Sequence, residues 1–112
     1  MMTINIKQDG DTAVLALNGR FDFSIHGDFK NARDEVLQIK GIKEVTVDLT
    51  NVQYMDSSAL GMLLILRENA NLSNLRVSLR STEGFVQQVL RVANFQNIFT
   101  ILPESGSAGI CG

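Results

Sequence analysis

The tripeptide Asp56-Ser57-Ser58 sets a carboxylate and two hydroxyls directly ahead of the apolar run ALGMLLIL, residues 59–66. Side-chain oxygens at such a place ordinarily accept hydrogen bonds from the first-turn N–H groups of a helix, so a cap is the first reading. A second chemistry is open to the same groups. A phosphate on one of these hydroxyls would meet free N–H donors and the positive end of the helix dipole, so the fold could carry it without unfolding. Its consequence would fall on partners, because the added charge beside Asp56 disfavours any acidic or desolvated interface pressed against the helix start.

Other chemistries find little support. A hydrolytic nucleophile needs a nearby base, and the chain has one histidine, His26, which heads the first expected helix as a surface residue. Met55 and Ala59 stand where a Gly-x-Ser-x-Gly nucleophile elbow would have glycines. Asp9, Asp11, Asp22, Asp28 and Asp34 show neither the Gly-centred loop nor the closing Glu of a calcium hand, so no metal site is expected. Gly19, Gly27 and Gly41 are isolated and form no phosphate loop, and no cofactor is expected. Met62 reads as core packing rather than as part of an adaptable binding surface. The sequence thus points away from an enzyme.

The elements that must position Asp56-Ser57-Ser58 follow from periodicity. TINIK and TAVLALNG are strand-like on either side of the turn-like QDGD, which predicts an opening β-hairpin. Phe29, Ala32, Val36 and Ile39 then recur at helical spacing, with Gly41 as a stop. Val45, Val47 and Leu49 alternate as a strand, with a turn expected at Asn51, and a helix follows from about Ser58. That helix is apolar on nearly every side from Ala59 to Leu66, which predicts that other elements cover it there. LRVSL predicts another strand, and a further helix follows with Ser81 or Thr82 as cap and Phe85, Val86, Val89 and Leu90 on its apolar side. FQNIFTIL closes as a strand up to Pro103. Strands alternating with helices predict an α/β layered sandwich: a mixed, mostly parallel sheet that starts with the hairpin and is covered by helices.

Bulk properties agree with one such domain. The chain has 112 residues, 45% of them hydrophobic and 20% charged, with a formal net charge of −2. That suffices for a single core and describes an ordinary globular chain. The ten Lys and Arg residues are scattered, so no direct nucleic-acid partner is expected. The single Cys111 excludes an internal disulfide framework. The start MMTINIKQDG has no signal-peptide pattern, and no apolar run reaches the ~18 residues needed to cross a bilayer. A cytoplasmic protein without membrane insertion is expected. Residues 1–102 form the expected domain, and ESGSAGICG within 103–112 reads as a flexible tail.

The segment VTVDLTNVQYMDSSALGMLL resembles the STAS-domain family, and within it the bacterial anti-sigma factor antagonists. The family pattern is a strand, an apolar approach, Asp-Ser-Ser, a small residue, Leu-Gly and an apolar helix. LNGRFDF resembles the family's Gly-x-apolar-Asp segment, and the order of elements agrees from about residue 3 to 102. The resemblance implies a switch protein that binds an anti-sigma factor, frees a sigma factor for transcription, and is turned off by a serine kinase and restored by a cognate serine phosphatase. By position it implies Ser57 as phosphoacceptor, with Asp56 and Ser58 framing it and Asp22 on a neighbouring loop facing the partner. Ala59 stands where many members have Gly, which keeps the site small and bears on kinase fit. The family also holds members that are never phosphorylated, such as small subunits of lipid-transport ABC complexes, so a constitutive subunit of a larger assembly stays open beside the switch.

Asp22 has two readings of its own. If the strands ending near Asn18 and Leu49 are parallel and adjacent, GRFDF and YMDSS leave one rim of the sheet and Asp22 shares a surface with Ser57. Alternatively, Asp22 merely caps the first helix.

Overall fold

A computed structural model of the chain describes residues 3–81 and 84–102. Alternation on both sides of Gly10 builds the opening hairpin of β1 (Thr3–Asp9) and β2 (Thr12–Phe21), which pair antiparallel. Gly10 has φ +63°, the left-handed conformation that a tight hairpin turn demands and that glycine adopts at little cost. Three further strands follow, β3 (Glu44–Met55), β4 (Arg76–Arg80) and β5 (Thr100–Leu102). The sheet order is β1-β2-β3-β4-β5, and every pair after the first is parallel. The α/β layered architecture expected from the sequence is the one observed.

Parallel neighbours need crossovers, and helices supply them. α1 (His26–Leu37) joins β2 to β3, α2 (Ser57–Leu72) joins β3 to β4, and α3 (Phe85–Val92) lies between β4 and β5. Crossovers advancing in one direction, when of the usual right hand, carry their helices to one face of a sheet, and α1 and α2 pack against each other over this one. Phe29, Ala32 and Val36 of α1 are buried at spacings of three and four residues, as are Ala59, Met62, Leu63, Leu66 and Ala70 of α2. Beneath them lie Leu15, Leu17 and Phe21 of β2 and Val45, Val47 and Leu49 of β3.

Several local expectations need correction. Asn51 is not a turn: β3 runs on to Met55. The register steps from Ala16↔Asp48 to Asn18↔Asn51, and from Gly19↔Val52 to Arg20↔Tyr54, so β3 carries an extra residue at each step. Each bulge resets the phase, and the buried apolar positions run 45, 47, 49 and then 52 and 55. An alternation rule loses such a strand at its first bulge.

The apolar run of α2 is also less covered than expected, with Leu64 and Ile65 exposed. α1 ends at Leu37 with Gln38 as its cap, leaving Gly41, at φ +85°, in the turn beyond. Gly84 rather than Ser81 is the N-cap of α3. Ser81 is buried, and its hydroxyl has no hydrogen-bond partner among the described residues, while Thr82 lies outside them. In FQNIFTIL, Phe95–Asn97 forms a 3-10 turn and only Thr100–Leu102 is strand, because Phe95 and Phe99 fold inward with ring centroids 5.1 Å apart. The tail expected at 103–112, including Cys111, lies outside the described residues.

The Phe21–Phe29 contact, with ring centroids 5.2 Å apart, joins β2 to α1 directly below the rim from which Asp22 emerges. Both side chains are almost wholly buried. Phe29→Ala should therefore destabilise the fold by about 3–5 kcal/mol, read as a lower urea midpoint at unchanged slope.

Candidate functional site

β2 and β3 run past β4, which pairs only with Glu44–Asp48, and they end together at the pair Phe21↔Met55. The Asp56 N–H then donates to the Phe21 carbonyl at 3.3 Å, closing the ladder at its last rung. Asp22 and Asp56 consequently leave neighbouring strand ends. The strands end at Phe21 and Met55 rather than near Asn18 and Leu49, but they are parallel and adjacent, so GRFDF and YMDSS do share a rim.

Asp56 is the N-cap of α2, with extended backbone and its Oδ1 accepting from the Ala59 N–H at 3.0 Å. Its carbonyl accepts from the Ala59 and Leu60 N–H groups at 3.1 and 3.4 Å. The cap function read from the sequence therefore belongs to Asp56, and the helix starts at Ser57, one position before the expected Ser58. This leaves Ser57 as the first helical residue, exposed and with no side-chain hydrogen bond among the described residues. Ser58 is half-buried beside it, and Ala59 is wholly buried, so the extra methyl relative to glycine is accommodated inside the core.

Asp22 also has a capping role, though of a different element. It is the N-cap of the 3-10 turn Phe23–Ile25 that precedes α1, and its Oδ1 accepts from the Ser24 N–H at 3.0 Å and from the Ser24 hydroxyl. The Arg20 Nε lies 3.7 Å from its Oδ2. The Ser24 hydroxyl hydrogen bond holds the Asp22 carboxyl below its ordinary pKa, helped by the Ser24 N–H and the Arg20 charge and opposed by desolvation. α1 itself has no side-chain cap. Both Asp22 readings thus have a structural counterpart, because the capping carboxylate sits on the same rim as Ser57.

Two features of this rim escaped the sequence reading. The Arg20 guanidinium carbon lies 4.2 Å from the centroid of Tyr54, and Phe85 stacks on Tyr54 with centroids 5.9 Å apart. This cation and its two rings tie β2, β3 and the start of α3 together. Beyond it, Leu60, Phe85, Gln88, Val89, Val92 and Ala93 line a predominantly apolar groove of about 350 Å³ between α2 and α3. Ser57, Leu60 and Leu64 recur at three and four residues along α2, so the hydroxyl and the groove share one helix face. A signal for the groove was present in FVQQVLRV: Phe85, Val89 and Val92 form a second apolar stripe beside the buried Val86 and Leu90.

His26 is exposed and stacks on the exposed Phe23 ring, with centroids 5.0 Å apart, and makes no hydrogen bond with a hydroxyl among the described residues. No group of three or more His, Cys, Asp or Glu residues is placed to hold a metal among the described residues. No helix there is long and apolar enough to cross a membrane.

A family model described as "Mlab, STAS domain" matches residues 4–103, and the chain belongs to the STAS-domain family. A STAS-domain containing protein of Pseudomonas aeruginosa (strain UCBPP-PA14) is 41% identical over 93 residues, covering 83% of this chain and 90% of the relative. Among solved structures, an anti-sigma factor antagonist from Mycobacterium paratuberculosis aligns at TM-score 0.84 and 14% identity, covering 99% of this chain and 93% of its own. The Bacillus cell-fate determinant SpoIIAA in its phosphorylated form aligns at TM-score 0.72 and 14% identity, covering 96% of each chain. Anti-sigma factor antagonists are thus among the structural neighbours of this fold.

Four substitutions test the capping roles on this rim. Asp56→Ala should cost about 0.5–2 kcal/mol in denaturant unfolding, and Asp56→Asn should recover most of it. For Asp22, carboxyl NMR should give a titration midpoint below the ordinary ~3.9, moving upward in Ser24→Ala. A carboxyl with a lowered folded pKa adds stability above its unfolded pKa, and that contribution fades as pH falls through the folded value. Asp22→Ala should therefore narrow the stability gap between neutral and acidic solution.

Proposed function

We propose that this protein is an anti-sigma factor antagonist that works as a phospho-regulated partner switch. In its unmodified form it binds an anti-sigma factor and frees a sigma factor for transcription. A serine kinase turns it off by phosphorylating Ser57, and a serine phosphatase restores it. The observation that carries this reading is the placement of Ser57: exposed, first in α2, and on the helix face that leads through Leu60 into the apolar groove.

The capped helix start tolerates a phosphate because Asp56 occupies the Ala59 N–H with its side chain while the dipole still favours negative charge. A partner seated over Leu60, Phe85 and Val89 would have to desolvate that phosphate on docking. Modification therefore weakens association while leaving the fold intact. Asp22, Asp56 and Ser58 complete the partner-facing rim, with Asp22 acting through the loop that it shapes at Phe23–Ile25. In this reading the chain has no catalytic residues and needs no cofactor or metal. It acts in the cytoplasm without inserting into membrane or contacting nucleic acid.

A second reading draws on the exposed Leu64, Ile65, Phe85 and Val92. A constitutive subunit of a larger assembly, such as a lipid-transport ABC complex, would keep such apolar groups permanently covered.

Phosphopeptide mapping from host cells with an active kinase should place the phosphate on Ser57, and Ser57→Ala should remain folded and unlabelled. In pull-downs from the host, wild type and Ser57→Ala should retain the anti-sigma factor and Ser57→Asp should retain less of it. Equal retention of a membrane-transport partner by all three proteins would favour the constitutive subunit. Asp22→Ala should keep a near-normal denaturant midpoint while lowering anti-sigma affinity or the rate of Ser57 phosphorylation, whereas loss of a cap alone would cost about 0.5–2 kcal/mol of stability. A pure stability loss, with both functional readouts intact, would remove Asp22 from the partner surface.

A further inference from the structure

β1 is an outer strand of the sheet. It pairs with β2 residue for residue, from Thr3↔Asn18 to Asp9↔Thr12, without a bulge. Its other edge has no strand partner among the described residues, leaving a row of backbone N–H and C=O groups available for pairing. Bulges, prolines and short length ordinarily blunt such edges, and the seven-residue TINIKQD uses none of these. Its one blunting charge of positive sign, Lys7, lies by alternation on the opposite face from Ile4 and Ile6.

Between this edge and α1 runs a groove of about 320 Å³, lined by Ile4, Ile6, Asp28, Asn31, Ala32 and Glu35. Ile4 and Ile6 are half-buried and pair across the ladder with Leu17 and Leu15, which places them on the helix-covered face. The opposite wall is the α1 face on which Asp28, Ala32 and Glu35 recur at four and three residues. Asp28 and Glu35 make no ion pair or side-chain hydrogen bond with the described residues, whereas the neighbouring cations Lys30 and Arg33 both lie against Asp34. The groove therefore combines an apolar floor, an unpaired strand edge and two uncompensated carboxylates. An edge strand beside a flanking helix is the geometry in which an extended peptide gains affinity from main-chain pairing and specificity from alternate side chains.

We propose that β1 is a docking edge for an extended, basic segment of a protein partner. The segment adds as a further strand, places alternate apolar side chains over Ile4 and Ile6, and sets a Lys or Arg against Asp28 and Glu35. In the sheet order β2 stands between this edge and β3, whose end leads into Ser57, and β5 beside α3 lies at the other side of the sheet. The inference stands apart from the proposed phospho-switch and does not depend on it.

The test uses the full chain, ¹⁵N-labelled, and two capped peptides, one alternating valine with arginine and one alternating valine with glutamate. The valine–arginine peptide should shift amide signals of residues 3–9 and 28–35 and slow hydrogen exchange along β1, and the valine–glutamate peptide should bind at least about tenfold more weakly. The double variant Asp28→Lys/Glu35→Lys, on exposed positions of α1, should reverse that order while keeping the wild-type denaturant midpoint. Equal binding of both peptides, shifts confined to the α2–α3 groove, or no binding would overturn the proposal. So would self-association of the protein alone with protected β1 amides, since a second copy would then be the occupant.

Discussion

The candidate site depends on the parallel pairing of β2 with β3 to the very ends of both strands. Phe21 and Met55 form the last pair, and the Asp56 N–H closes on the Phe21 carbonyl. Without that final rung, two capping loops more than thirty residues apart in sequence would have no fixed relation. With it, Asp22 and Asp56 begin adjacent turns on one rim, and both carboxylates accept from a backbone N–H of the turn that they open. The β3 bulges shape this end as well, because the first moves the inward phase to Val52 and the second restores it at Met55, the residue paired with Phe21.

Helix α2 then has two obligations. Its inner face, with Ala59, Leu63 and Leu66 wholly buried, fixes the helix against the sheet. Its outer face presents Ser57, Leu60 and Leu64 in sequence along one side, bordered by the apolar stripe of α3. Buried packing on one side and exposed apolar surface on the other explain why the run ALGMLLIL lacks a polar face. Charge added at the first residue of such a helix would fall outside the core and within the favourable end of the dipole. The Arg20–Tyr54–Phe85 stack supports this arrangement by fixing the start of α3 to the strands beneath the rim.

Much of this was legible in the sequence because local periodicity and local chemistry were its cause. The hairpin at Gly10, the alternation through Val45, Val47 and Leu49, and the helical spacing of Phe29, Ala32 and Val36 each report burial on one side of one element. The Asp-Ser-Ser signature was readable for the same reason, since a cap and the helix it starts lie within four residues of each other. Where two demands met in one segment, the reading failed. The bulges in β3 broke alternation at Asn51, the inward turn of Phe95 and Phe99 displaced most of an expected strand, and the cap of α3 fell to Gly84 rather than Ser81.

The sequence by itself determined most of the elements, their order and the Asp-Ser-Ser segment at the start of α2, because each of these is written in contacts between residues a few positions apart. Only the tertiary structure decided that Asp22 lies on the same rim as Ser57, that Arg20 stacks on Tyr54, and that α2 and α3 leave an apolar groove between them. Those relations arise from strand register and helix packing, in which residues tens of positions apart become neighbours. A shift of the β2–β3 register by one residue would turn the side chains of the slipped strand to the opposite face, so the site exists only in the register that the whole core selects.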